Sequence, residues 1–518
     1  MKKQIELTIR PEEINAPEIL LIKSAAFLKT DKEKISAVIP IKKSIDARRK
    51  FPVFRFIVDV YIDENPSPQN IFVQYHPVTS DKKVIIVGFG PSGMFAALKL
   101  IELGIKPIII ERGKDVQSRR RDVHALQQDQ IVNPDSNYCF GEGGAGAYSD
   151  GKLYTRATKR GDVKSILEIL VQHGANEDIL IDAHPHIGSN KLPKIITTIR
   201  ETILKNGGDI KFNSKVTDFI LNDNKIIGVN VNNEFDVLGD AVILATGHSA
   251  RDIFYLLHNK KIKIEPKPFA MGVRIEHPQA LINEIQYHSK VKSENLPAAS
   301  YSIACNIDGS GVYSFCMCPG GIIVPSATEP GEVVVNGMSL SKRNSPFANS
   351  GFVVEVNEKE WNKFENDYPF SGLLLQQELE HHAFDLANKT QKAPAQKVTD
   401  FVSGKFSSSL PNSSYIPGLT SAELHKELPE FISARLKKAL NVFDKKMHGY
   451  YSEEAILVGV ESRTSSPIKI PRDKETMMHI QISGLFPCGE GAGYAGGIVS
   501  AAIDGENSAL AVASFLKK

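Results

Sequence analysis

The chain has 518 residues; at roughly 150 residues per domain that length allows about three domains and more than one core. Sixty-two Lys and Arg against 60 Asp and Glu leave a formal charge of +2, which excludes a whole-chain field directed at nucleic acid or an anionic membrane. Five cysteines are too few and too odd a set for a disulfide framework and suit a reducing, cytoplasmic setting.

In chain order, Met1-Lys2-Lys3 runs into Glu6 and Glu12-Glu13 before any apolar segment forms, so no signal peptide is expected. Residues 1–80 read as a small α+β unit. Ile5, Leu7 and Ile9 alternate as in a strand, Asn15 is placed to cap a helix with Pro17 in its first turn, and Ile35 to Ile41 and Val53 to Ile62 read as strands. Glu64 to Asn70 has the breaker composition of a linker. The longest apolar stretch, Val84 to Leu98, is 15 residues with three glycines, too short to span a bilayer.

From Lys83 the grammar changes to strand, glycine turn, helix, strand. Val84-Ile-Ile-Val-Gly88-Phe-Gly90-Pro91-Ser92-Gly93 is a G-x-G-x-x-G between an apolar strand and a helix. Gly88 makes the tight turn, Gly90 lets backbone approach a pyrophosphate, and Gly93 lets helix and strand pack. The diphosphate then meets unpaired N–H groups at a helix N-terminus. Glu111, followed by Arg112, ends the next strand 23 residues after Gly88, near the ~20 expected for the acid that holds ribose hydroxyls. A second glycine turn, Gly489-Glu490-Gly491-Ala-Gly493-Tyr-Ala-Gly496-Gly497-Ile498, opens a helix almost 400 residues later. A ligand held at both ends of the chain is extended, as FAD is, and the positive end of the helix after Gly497 then faces the flavin pyrimidine edge. Between the turns, Leu192 to Asn206 reads as a helix, 264–450 as an inserted α+β domain with a strand at Glu332 to Asn336 and a helix near Leu373 to Asn388, and 451–518 as the returning cofactor domain.

These segments resemble the glutathione-reductase-like class of FAD flavoproteins, in which Ala245-Thr246-Gly247 closes the first part of the cofactor domain, here 81–263. The closer resemblance is to a bacterial family of FAD-dependent dehydrogenases without assigned substrate. It is carried by Phe140 to Leu153, His184-Pro-His186-Ile-Gly, Phe315-Cys-Met-Cys-Pro-Gly-Gly, Asn336-Gly-Met-Ser, Glu461-Ser-Arg463-Thr-Ser465-Ser-Pro and Lys43-Ser-Ile-Asp-Ala-Arg-Arg. It implies that the loop Gly141 to Gly151 crosses the cofactor through Gly143, Gly144, Ala145, Gly146, Ser149 and Gly151. It implies no substrate.

The substrate candidates are His184, His186, Arg463 and Ser465. Arg463 follows an apolar strand, Ala455 to Val460, where a guanidinium can clamp a carboxylate at two points; His186 can pass protons near neutral pH. Cys316 and Cys318, two apart on a regular strand, share a face about 6.6 Å apart, near the outer limit for a disulfide, and are expected to be small buried residues rather than redox groups. His381-His382 lacks spaced acidic or cysteine partners, so no metal site is expected. The run Lys42 to Lys50, five basic residues and one acid, reads as a solvated loop.

The expected protein is therefore an α/β Rossmann-like FAD oxidoreductase with a discontinuous cofactor domain, an inserted α+β domain and a small N-terminal α+β domain. It exchanges hydride between flavin N5 and a small anionic substrate, with transient docking of NAD(P)H left open and neither membrane nor nucleic acid as a partner. The alternatives are an RNA-binding, tRNA-modifying flavoprotein that uses the Lys42 to Lys50 run, and a flavin sensor without turnover.

Overall fold

The computed structural model describes residues 1–67, 72–155 and 159–517; positions 68–70 of the expected linker lie outside the described residues. Five parallel strands form the central sheet in the order Leu485–Pro487, Ala241–Leu244, Lys83–Val87, Lys106–Ile110, Asp209–Lys211. Val84 to Val87 are all buried, as a strand covered on both faces requires. The chain leaves Lys83–Val87 towards one edge and returns on its other side through Ala241–Leu244. That reversal opens a crevice at the strands' carboxyl ends. The helix Pro91–Glu102 starts there with Pro91 in its first turn, where a missing N–H costs nothing. The helix Ile498–Leu516 lies against it at Gly505, where a Cβ would stand 2.1 Å from the Ser92 carbonyl oxygen.

The expected α/β class holds, and the inserted unit is a seven-stranded sheet. Its order is Ala304–Ile307, Ser310–Cys318, Phe347–Val356, Phe269–Pro278, Ile456–Glu461, Ala393–Lys397, Leu419–Ser421. One boundary moves. Ile456–Glu461, expected to begin the returning cofactor domain, pairs antiparallel with Phe269–Pro278 and with Ala393–Lys397 and so completes the inserted sheet. All six of its residues are buried, and an apolar run of that kind does not tell which sheet it enters. The expected strand at Glu332 to Asn336 forms further along, at Val335–Ser339, in a hairpin with Gly321–Pro325. The expected helix appears as Ser371–Leu386.

At the N-terminus, Lys2–Ile9, Val53–Ile62 and Ile35–Asp46 form a three-stranded antiparallel sheet. The helix begins at Ile19 rather than beside Asn15: the Asn15 side chain donates to Asn295 Oδ1 at 2.8 Å across to the insertion. Asn295 Nδ2 in turn donates to the Pro11 carbonyl at 2.8 Å. The N-terminal core residues Leu7, Phe56 and Val58 belong to one continuous apolar cluster with Met271, Phe352 and Phe443 of the insertion.

Because that core is shared, Phe56→Ala should cost about 3–5 kcal/mol and lower the stability of the insertion with it. Denaturant unfolding followed by far-UV CD should show one displaced transition for both units; an N-terminal unit melting alone would contradict the shared core.

Candidate functional site

A cleft of about 340 Å³ opens at the carboxyl ends of the parallel strands. It is lined by Gly88, Gly90, Pro91 and Ser92 of the first glycine turn, Glu111 and Arg112, Gly144, Ala145, Gly146, Ser149 and Gly151 of the crossing loop, Ala245 to Gly247, and Glu490, Gly496, Gly497 and Ile498 of the last turn. Three expected cofactor residues stand behind this wall. A Cβ on Gly93 would lie 2.1 Å from the Gly88 oxygen, one on Gly143 2.5 Å from Ile196 Cδ1, and one on Gly489 2.2 Å from Ser92 Oγ. They permit close packing and do not face the cleft.

The space fits an extended dinucleotide. A Cβ on Gly90 would project into the gap towards Gly144, 3.7 Å from its Cα, and Cβ atoms on Gly496 and Gly497 would meet nothing within 4 Å. Open backbone therefore lines the path from one helix N-terminus to the other, where N–H groups favour a diphosphate. At the far end Glu111 is buried, and its carboxylate gathers three loops: Oε2 accepts from Phe89 N at 2.8 Å, and Oε1 accepts from Gly113 N at 2.9 Å and Gly141 N at 3.0 Å. Oε2 keeps acceptor capacity for a hydroxyl. Arg112 is held by both oxygens of Asp252 at 2.8 Å and lies over the Phe140 ring.

The loop itself hangs on a fully buried arginine. Arg119 donates to the carbonyls of Asn137 (2.7 Å), Tyr138 (2.8 Å) and Glu142 (2.8 Å), groups that an irregular segment would otherwise leave unpaired. Burial draws its pKa below the usual arginine value.

Arg463 reaches the cleft wall, but its fork is already engaged. Nε donates to Glu380 Oε1 at 3.0 Å, Nη2 to Glu332 at 2.6 Å and Glu380 at 2.9 Å, and Nη1 to Thr328 Oγ1 at 2.6 Å. Arg251 binds the same two carboxylates at 2.7 and 2.8 Å, and Ser462 Oγ donates to Glu380 at 2.5 Å. The expected two-point clamp on a substrate is thus turned inward, onto protein carboxylates. Burial opposes the Glu380 charge, but Arg251 and Arg463 outweigh it and hold its carboxyl down to about 2. Ser465 is half-buried, just beyond Thr464, and outside the cleft lining.

His184 and His186 do not reach the cleft. Their segment pairs with the one carrying Asp150 and Lys152, through Leu153 N to Pro185 O at 2.9 Å and Ile187 N to Gly151 O at 3.1 Å. Both imidazoles line a second depression, and His186 Nε2 contacts the Ser341 carbonyl at 3.2 Å.

The cysteines also depart from expectation. Cys316 is exposed, at φ +50°, on a bulge that shifts the register between Phe315 and Cys318, and it lines the cleft. Cys318 is fully buried, and burial pushes its thiol up to about 11. Lys152 Nζ lies 3.9 Å from Cys316 Sγ, 3.7 Å from Cys318 Sγ and 3.7 Å from Asp150 Oδ2. Burial works against the Lys152 charge, and the two sulfurs with Asp150 overcome it, leaving the ammonium more basic than usual. Arg274, fully buried, donates to the Cys316 carbonyl at 2.8 Å, to Glu461 at 2.7 Å and to Asn336 Oδ1 at 3.1 Å. Sequence reading passed over His248, Arg119, Arg251 and Arg274, and noted Lys152 only as a charge flanking the crossing loop. His248 alone had a visible signal, its place directly after Ala245-Thr246-Gly247.

The family model described as FAD-dependent protein, C-terminal domain-like, matches residues 268–464, ending just past Ile456–Glu461; a domain of unknown function matches 1–61. An uncharacterised protein of Clostridium beijerinckii is 40% identical over 498 residues, covering 92% of each chain. Among solved structures, a geranylgeranyl bacteriochlorophyll reductase-like protein from Thermoplasma acidophilum is similar at 14% identity, over 84% of this chain and 79% of that one, with a TM-score of 0.35. Glycerol-3-phosphate dehydrogenase from Bacillus halodurans, complexed with FAD, is similar at 11% identity, over 84% and 65%, with a TM-score of 0.36.

Removing one partner from a buried ion cluster costs about 3–5 kcal/mol, so Arg463→Ala should lower the melting temperature and loosen the cleft together. A variant of parental stability would show that the cluster is not structural. With its folded pKa near 2 against an ordinary 4.5, Glu380 contributes stability in full above pH 4.5 that is lost as pH falls towards 2. Glu380→Gln, though less stable at neutral pH, should therefore show a shallower fall in unfolding free energy across that window; equal slopes would refute the assignment.

Proposed function

The chain belongs to one family with the uncharacterised Clostridium beijerinckii protein, and from that premise we propose that it is a two-electron FAD oxidoreductase acting on a small organic substrate. Its cofactor is FAD, in keeping with the match of residues 268–464 to an FAD-dependent protein. Both glycine turns, Glu111 and the 141–151 loop would hold it. The observation that carries the reading is that one cleft is walled by both terminal glycine turns and, opposite them, by Phe315, Cys316, Asn336 and Gly337 of the insertion. Bound FAD supplies a site, N5, that takes or gives hydride.

The protein residues confine the substrate and handle its proton. Phe315 and Cys316 cover the insertion side of the cleft, and Lys152 is the cation presented there, in the role first expected of Arg463. His248 is half-buried; its desolvation holds the imidazole below its ordinary pKa, with Arg463, Arg251 and Lys267 acting in the same direction against Glu490. Its Nε2 lies 3.8 Å from Glu490 Oε2, and it fits a proton acceptor better than His186, which lies outside the cleft. A nicotinamide nucleotide serves as a transient reductant in this scheme.

Flavin released from the purified protein should run as FAD, and Gly90→Val should empty the site with the fold intact, because its methyls fill the gap to Gly144. FMN, or full FAD occupancy in that variant, would refute the placement. Anaerobic addition of metabolite extract should bleach the flavin, and Lys152→Met should slow bleaching at least about tenfold, a barrier change of about 1.4 kcal/mol, with FAD content retained. An unchanged rate would remove Lys152 from the substrate site.

A further inference from the structure

A second depression, of about 1830 Å³, borders the cleft. Asp150 in the cleft wall accepts from Arg343 in the wall of the depression at 2.6 Å. N-terminal residues 43–48, the 182–186 segment, the helix Gln279–Tyr287 and residues 342–346 contribute to its walls. Seven lysines and arginines line it against Asp182, Glu284 and Glu294, although the whole chain carries only +2. Some are committed: Lys43 pairs with Asp182 at 3.4 Å and Arg48 with Asp46 at 2.7 Å. Lys290 and Lys342 are exposed and make no ion pair or side-chain hydrogen bond among the described residues.

Two further observations point inward. Arg343 has a left-handed backbone, φ +48°, pressed against Gly320, where a Cβ would stand 1.8 Å from the Arg343 carbonyl oxygen. Its side chain is only 14% exposed, and its Nε–H is buried without a partner. Strain and an unpaired donor on one guanidinium are features that binding sites retain and packed surfaces do not. The imidazoles sense the same potential. His184 and His186 are both held below their ordinary value, first by burial, then by Lys42 and Arg343 for His184 and by Arg343 for His186.

We propose that this depression is a binding site for a phosphate-bearing small molecule, with a diphosphate met by the unpaired ammonium groups of Lys290 and Lys342 in the wall that also holds Arg343, His184 and His186. Phosphate matches the donor set: ammonium groups and a planar guanidinium with few competing acceptors. A single-stranded nucleic acid fits less well, because the phenyl and phenol rings in the wall, Phe54 and Tyr287, are buried core groups and offer no stacking platform among the described residues.

The test is calorimetric titration of the FAD-loaded protein, in which the cofactor already fills its own diphosphate site, with inorganic pyrophosphate, with ADP and with a single-stranded oligoribonucleotide. Pyrophosphate should bind, more weakly at high salt. The Lys290→Glu, Lys342→Glu double variant should lose at least about tenfold in affinity with FAD content and melting temperature unchanged, since both side chains are exposed. Tighter binding of ADP would mark a nucleotide ligand, and equal binding a site that reads the diphosphate alone. Absence of pyrophosphate binding, parental affinity in the double variant, or an oligoribonucleotide that binds and is not displaced by pyrophosphate would overturn the proposal.

Discussion

Two arginines and two glutamates, all buried, tie the cofactor unit to the insertion at the wall of the cleft. Arg251 begins the helix Arg251–Asn259 of the cofactor unit, Glu332 and Glu380 belong to the insertion, and Arg463 follows the last strand of the inserted sheet. Taking four charges out of water costs several kcal/mol per ion, so such a group persists only when nearly every donor and acceptor is met. Here the geometry meets that demand: Glu380 accepts from Arg251, Arg463 and Ser462. Glu332 accepts from both guanidinium groups. The cluster is neutral as a whole, and its arginine at the cleft wall fixes the insertion over the glycine turns.

The same device recurs at a smaller scale. Arg119 and Arg274 are among the largest fully buried side chains, and each serves irregular backbone that no strand or helix pairs. Arg119 gathers the carbonyls ahead of the crossing loop; Arg274 ties the Cys316 carbonyl to Glu461 and Asn336. Five N–H groups in a rigid fork can satisfy several scattered acceptors at once. The cleft can therefore be lined by glycine-rich and bulged segments while its walls stay fixed.

What could be read from sequence is what local sterics dictate. The glycine turn, Glu111 and the last turn stand where their spacing put them, because a tight turn or a close backbone approach admits little besides glycine. What could not be read depends on partners distant in the chain. Nothing around Arg463 announces Glu332 or Glu380, and nothing in His184-Pro-His186 tells that its segment pairs behind Asp150 and Lys152. The cysteine reading failed for a different reason. It assumed a regular strand, whose period of two puts Cys316 and Cys318 on one face. The bulge inserts an unpaired step between Phe315 and Cys318, so that one sulfur is exposed in the cleft and the other is fully buried.

A net charge of +2 conceals how strictly the charges are sorted. In the deep cluster they cancel pairwise. At the border between cleft and depression they meet on one residue: Asp150 is buried, and although burial disfavours its charge, Lys152 on one side and Arg343 on the other keep its carboxyl below the ordinary value. Ser339 also donates to it. A single buried carboxylate is thus shared by a cation from each of two cavities, and only the loss of both would leave it buried as an uncompensated charge. The wall between the cavities is one short segment: Leu153 N bonds the Pro185 carbonyl and Ile187 N the Gly151 carbonyl, and this backbone pairing leaves the imidazoles of His184 and His186 on the side of the depression.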